Sequence, residues 1–123
     1  MTGVISNIKD KALKNDYFRE VLETGEHTQV VVMSLLPGEE IGPETHTDND
    51  QVLFCVSGTG KVVLNGEETS FQEGDLVLVH SGTLHNFINS GTTSMKIITT
   101  YSPSHHPQGT IHKTKAEAGK AEY

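Results

Sequence analysis

The segment Glu44-Thr-His-Thr-Asp-Asn-Asp-Gln51 sets a carboxylate, an imidazole and an amide at spacings of two and then five. Side chains alternate along an extended chain, so Glu44 and His46 share a face with α-carbons about 6.8 Å apart. Two such groups can converge on one metal ion at bonds of roughly 2.0–2.2 Å. Gln51 stands just past the polar loop Thr47–Asp50, and a hairpin would bring it alongside the other two. His85, in Ser81-Gly-Thr-Leu-His-Asn-Phe-Ile-Asn89, is a fourth candidate ligand on a different strand. The alternative is a polar turn without metal; Asp48, Asn49 and Asp50 are turn formers, because Asx side chains bond their own backbone.

Strands must deliver these residues, and the sequence supplies them. Twelve glycines punctuate short apolar runs over 123 residues, as expected of many strands joined by tight turns. Strands are expected at Tyr17–Thr24, His27–Leu36, Glu40–His46, Gln51–Val56, Lys61–Leu64, Glu67–Phe71, Leu76–His80, Leu84–Asn89 and Ser94–Tyr101. Asn65-Gly66 between two such runs predicts a type I′ hairpin, which needs positive φ at both positions. A turn of helix is expected at Ile8–Leu13, and the Lys/Glu/Ala-rich end can form another. The whole reads as one domain: an arm at 1–26, a barrel at 27–102 and a tail at 103–123. So many short strands with so little helix predict an all-β antiparallel barrel or sandwich.

Composition narrows the partners. Sixteen acidic residues against nine basic ones give a formal charge of −7, and Arg19 is the only arginine, so no basic patch for nucleic acid or an anionic membrane is visible. A single Cys cannot form an internal disulfide, and no apolar run has the length of a signal peptide or a membrane span. A cytoplasmic protein with a small-molecule ligand is the expectation.

The spacings resemble those of the cupins. Gly38, five residues, Glu44-x-His46, four residues, Gln51, six residues and Gly58 match the family's first motif; Gly74, five residues, His80-x-Gly82, two residues, His85, three residues and Asn89 match the second. The resemblance covers roughly residues 30–101 and implies a double-stranded β-helix, or jelly-roll barrel. It carries His46 and His85 over as metal ligands of the usual type, and Glu44 and Gln51 by position. Glu44 stands where a His is usual, Gln51 where a Glu is usual, and His80 where a proline is usual.

The implied shell keeps the net charge of the usual one: one carboxylate, two imidazoles and an amide oxygen in place of three imidazoles and a carboxylate. Two nitrogens and two oxygens suit Zn, Mn, Fe or Ni. Four polar groups in a mostly apolar barrel would be costly without a ligand, which weighs against the metal-free turn. Phosphomannose isomerases, cupins with a Gln, two His and a Glu at the metal, have the same ligand types in another order. That likeness implies a non-redox isomerase or lyase acting on a sugar-like or carboxylate metabolite, in which the metal polarises a carbonyl and stabilises an enediolate. Gln51 cannot titrate, so Glu44, metal hydroxide or another His, such as His80, would serve as base. A dioxygenase and a non-catalytic binding protein are the other readings. A phosphosugar would want cations, and the barrel segment offers only Lys61 and Lys96.

Several residues have plainer readings. His80 is a solvated turn residue if it is not a proton-transfer group near the mouth. Cys55, in phase with Gln51, is core packing, and Phe87, in phase with His85, lines the interior, while Phe54 packs outside it or in an interface. His105, His106 and His112 either belong to a mobile tail or cap the barrel mouth or a second metal. Tyr17–Thr24, apolar on two faces, reads as an interface strand of a homodimer.

Overall fold

A computed structural model describes residues 3–120. After helix α1 (Ile8–Lys14), the strands are β1 (Arg19–Thr24), β2 (Gln29–Leu35), β3 (Asp50–Ser57), β4 (Thr59–Leu64), β5 (Glu67–Gln72), β6 (Leu76–Val79), β7 (His85–Asn89), β8 (Met95–Ser102) and β9 (Ile111–His112), before helix α2 (Lys115–Gly119). They form a six-stranded sheet ordered β6-β3-β8-β2-β1-β9 and a three-stranded sheet ordered β5-β4-β7. All named pairings are antiparallel. The jelly-roll architecture expected from the spacing is therefore present.

Between the sheets lies a core of Met33, Leu35, Leu53, Cys55, Phe71, Phe87, Met95 and Ile97, each fully buried. A large apolar side chain so placed contributes about 1.5–3 kcal/mol. Phe71 and Phe87 meet edge to face across the small sheet, with centroids 5.1 Å apart. A second cluster forms on the outer face of the large sheet, where Ala12 of α1 covers Val32 and Val56, with Leu22, Phe54 and Ile98 packed around them. This explains why Val30-Val-Val-Met33 lacks alternation: both faces of β2 are covered. Leu22 of β1 packs at the edge of this cluster. Phe54 packs in this outer cluster, and Cys55 and Phe87 point inward.

The Asn65-Gly66 turn is as predicted, with φ of 49° and 86°. Asn65 also anchors the approach to β7: its N–H donates to the Leu84 carbonyl, and the Leu84 N–H donates to its side-chain oxygen at 3.0 Å. The expected strand Glu40–His46 is different. It is reduced to two isolated bridges, Glu40↔Ile88 and Glu44↔His85. Gly42 has φ 110° and gives its N–H to the Asn86 side chain, and Pro43 has no N–H to offer a ladder.

The polar tail is also not the mobile segment that its composition suggested. Gln29, fully buried, accepts from the backbone N–H groups of His105 (3.2 Å) and His106 (3.0 Å) and donates to the His106 carbonyl (2.7 Å). β9 then pairs with β1, setting His112 opposite Arg19. Thr114 caps α2 by accepting the Glu117 N–H, and Ala118 packs onto the core. A buried, fully bonded Gln in β2 is what ties the tail down; the tail's own residues do not show this.

Candidate metal centre

The bridge Glu44↔His85 builds the site. Reciprocal backbone hydrogen bonds of 3.0 and 2.9 Å fix these two residues opposite each other. Glu44 Oε1 lies 3.3 Å from His46 Nε2 and 4.0 Å from His85 Nε2, and the ligand atoms of the three residues lie within 4.8 Å of one another. Bonds of about 2.1 Å to a shared ion require donor separations of about 3.0–3.4 Å for right-angled or tetrahedral geometry. The observed spacing is close to that, and contracts to it with small side-chain movement.

Gln51 lies on β3. Its Nε2 donates to Thr99 Oγ1 at 3.0 Å, which fixes the amide. His46 Nε2, His85 Nε2 and Gln51 Oε1 are all buried; the first has only the Glu44 carboxylate beside it, and the other two have no hydrogen-bond partner. Unsatisfied buried polar atoms are rare and costly; an ion seated between Glu44, His46 and His85 would satisfy the His85 nitrogen and share the carboxylate with both rings. The tautomer agrees. His85 Nδ1 sits 2.8 Å from the Thr83 carbonyl, so it carries the proton, and the lone pair is on Nε2. The residues present therefore fit a divalent ion. Glu44, His46, Gln51 and His85 would hold it.

Electrostatics around Glu44 point the same way. Burial pushes its carboxyl up, but His46 beside it, then His85 and Arg19, outweigh that and hold it below the usual carboxylate range. It is ionised at neutral pH.

Glu44 also lines a cavity of ≈ 160 Å³, with Arg19, Tyr101, His105, His106 and Lys115 among its walls. Tyr101 lies directly across from Gln51 in the β3–β8 register. Burial pushes its phenol up to about 12, against the lowering influence of Arg19 and of hydrogen bonds with Arg19 and Gln51. It is a neutral donor beside the metal ligands. His105 stacks on Tyr101 (centroids 5.4 Å, planes 23° apart) and lies 4.4 Å from the His46 ring. Burial first, then His46, pushes its imidazole down, so it stays neutral.

Of the five predicted site residues, Glu44, His46 and His85 come together, with ligand atoms within 4.8 Å of one another; Gln51 stands on β3 with its amide oxygen buried. His80 does not join them: it is exposed at the end of β6, and its carbonyl takes the Thr83 N–H in the turn leading to His85. Its position is that of a solvated turn residue. Lys61 is exposed and lies 3.7 Å from Glu68, and Lys96 bonds Asp16, Ser34 and the Asn15 carbonyl; neither lines the cavity. The cations that do are Arg19 and Lys115, from the arm and the tail. Sequence reasoning missed Arg19 and Tyr101, and held the His105–His106 cap only as the alternative to a mobile tail. The available signal was that Arg19, a lone arginine, is in phase with the inward-facing Val21.

Two antiparallel sheets enclosing a His/Glu cluster next to a polar cavity define a small β-barrel protein with a candidate metal-binding site. A family model described as a cupin domain matches residues 31–101, and the chain belongs to that family. It is 41% identical to the Bacillus subtilis protein YrkC over 124 residues, covering 96% of this chain and 67% of YrkC. The crystal structure of BH2720 from Bacillus halodurans superposes with a TM-score of 0.95 at 37% identity, covering 97% of this chain and 95% of that one. More distantly, an oxalate-binding protein of Thermotoga maritima is 27% identical over 54% of each chain. Among the described residues, no helix is long and apolar enough to cross a membrane.

Proposed function

We propose that this cupin is a metal-dependent enzyme of the isomerase or lyase type, acting without redox change on a small sugar-like or carboxylate metabolite. The observation that carries the reading is the cluster of Glu44, His46 and His85, whose ligand atoms lie within 4.8 Å of one another with the buried His85 Nε2 unpartnered. A divalent ion held there supplies Lewis-acid polarisation of a carbonyl or hydroxyl oxygen. The chain supplies the rest. Glu44, ionised and lining the cavity, can take a proton from the carbon next to that carbonyl. Tyr101, kept neutral, can donate a hydrogen bond to a developing oxyanion. The neutral His105 stacked on Tyr101 closes one wall and limits water. The oxalate-binding relative favours the carboxylate half of the substrate class.

The test is to incubate the zinc-loaded protein with small hydroxy- and keto-acids in deuterium oxide and follow the spectrum by NMR. The proposal expects solvent deuterium at the carbon next to the carbonyl, or conversion to an isomer, with no oxygen consumed. Oxygen uptake by the iron-loaded protein with any of these compounds would make it a dioxygenase. Tight binding with neither exchange nor turnover would make it a binding protein.

A further inference from the structure

Arg19 is only 7% exposed, and it lines the cavity. Charged side chains are rarely buried so deeply unless paired. Among the described residues, no carboxylate comes within 4.0 Å of its guanidinium; Glu44, the acid in the same cavity, is turned to His46 and His85. Its Nη1 meets His112 Nδ1 at 3.0 Å, a contact set by the Arg19↔His112 register of β1 and β9. Burial, and then Arg19 itself, keep that imidazole from charging, so it does not balance the guanidinium. The Arg19 Nε–H is buried with no hydrogen-bond partner. The group is also fixed in place, its central carbon 5.2 Å from the Phe18 ring.

The cavity as a whole carries excess positive charge. Arg19 and Lys115 contribute +2 and Glu44 −1, and a divalent ion on the neighbouring ligands would bring the sum to +3. A neutral ligand would leave that charge uncompensated. The volume of ≈ 160 Å³ lies below the roughly 300–1,000 Å³ of sites for drug-sized ligands. The occupant therefore has few heavy atoms. A planar guanidinium pairs bidentately with carboxylates and with phosphates, and of the two groups the planar carboxylate is the smaller fit for so small a cavity.

We propose that Arg19 is the seat of a substrate carboxylate, with Lys115 of α2 as a second cation at the rim, so that the site selects small carboxylates whose other oxygen reaches the Glu44–His46–Gln51–His85 cluster. The assignment rests on the metal-centre reading for that second contact. It gives the tail a function as well: Gln29 and β9 hold α2 and Lys115 over the site.

Calorimetric titration of the zinc-loaded protein with malonate, with the uncharged malonamide and with inorganic phosphate tests the seat. Malonate is expected to bind and malonamide not to. Arg19→Gln should weaken malonate roughly 10- to 100-fold, the loss of one charge-assisted contact, at unchanged zinc content. Arg19→Lys should recover part of the loss, and Lys115→Ala should cost less than Arg19→Gln. If Arg19→Gln does not fold, as judged by its thermal melt, Arg19→Lys and Lys115→Ala carry the comparison. Equal malonate affinity in the wild type and the Arg19 variants would overturn the seat and leave the metal centre standing. Phosphate binding tighter than malonate would overturn the carboxylate assignment. If the protein takes up no zinc, the metal reading fails separately, and the same titrations on metal-free protein decide: malonate binding that depends on Arg19 keeps the seat, and no binding to the wild type overturns it.

Discussion

Replacing His106 with Phe keeps a ring where the imidazole packs, 5.1 Å from Tyr101 and 4.8 Å from His105, and removes its proton. In the fold, burial first, then Arg19 and the neighbouring imidazoles, push His106 down from 6.5 to about 3. As pH falls below 6.5, the unfolded chain takes up a proton that the folded one refuses, so this residue's effect is a loss of stability on acidification. At about pH 4.5 the free imidazole is protonated some hundredfold in excess while the buried one is still neutral, a penalty of about 2.7 kcal/mol, against almost nothing near pH 7.5. The figure changes little as long as the folded value stays well below the working pH. Urea unfolding of wild type and His106→Phe at the two pH values, with chelator present so that metal release does not intrude, isolates the difference, because the carboxylates are common to both proteins. The variant should lose about 2–3 kcal/mol less than the wild type on acidification. Parallel losses would refute the argument and show that His106 accepts its proton within the fold.

Two further outcomes follow from the core. Cys55 is fully buried, and burial, with Asp75 and Glu73, pushes its thiol up to about 11; at about pH 8 roughly one thiol in a thousand is ionised, so a maleimide should label the native protein negligibly and the denatured chain once. Rapid native labelling would show that the sheets open around β3. A Cβ on Gly60 would run into the Ile88 carbonyl and the Met95 methyl. The backbone contact cannot yield cheaply, so Gly60→Ala should destabilise by about 1–3 kcal/mol in thermal or urea unfolding, and an unchanged melting temperature would contradict the packing described.

Much of the fold was legible because turns and strand pattern agree with it. Asn65-Gly66, the Gly74–His80 spacing and the alternating burial of β3 each specify a local geometry that the whole uses. The Glu44–His46–His85 cluster was legible for the same reason: Glu44 and His46 are close in sequence, and His85 lies in the strand that Glu44 bridges. What was not legible depends on contacts distant in sequence. Arg19 enters the site through β1, Lys115 through α2, and both are placed by β9 and Gln29, whose pairings no local pattern announces. Helix α1 over the outer face shows the same limit: the apolar residues of β2 and β3 on that side do not say which element covers them. His80 occupies the right motif position, but the turn that delivers His85 leaves its side chain in solvent.

The claim that Glu44, His46, Gln51 and His85 form one metal centre is tested most directly by elemental analysis of the protein reconstituted with zinc and freed of excess. One ion per chain in the wild type, and essentially none in His85→Ala, which removes a buried Nε2 donor while sparing the Glu44 backbone bridge, is the predicted result. A wild type that retains no stoichiometric metal, or a His85→Ala variant that retains it in full, would contradict the account.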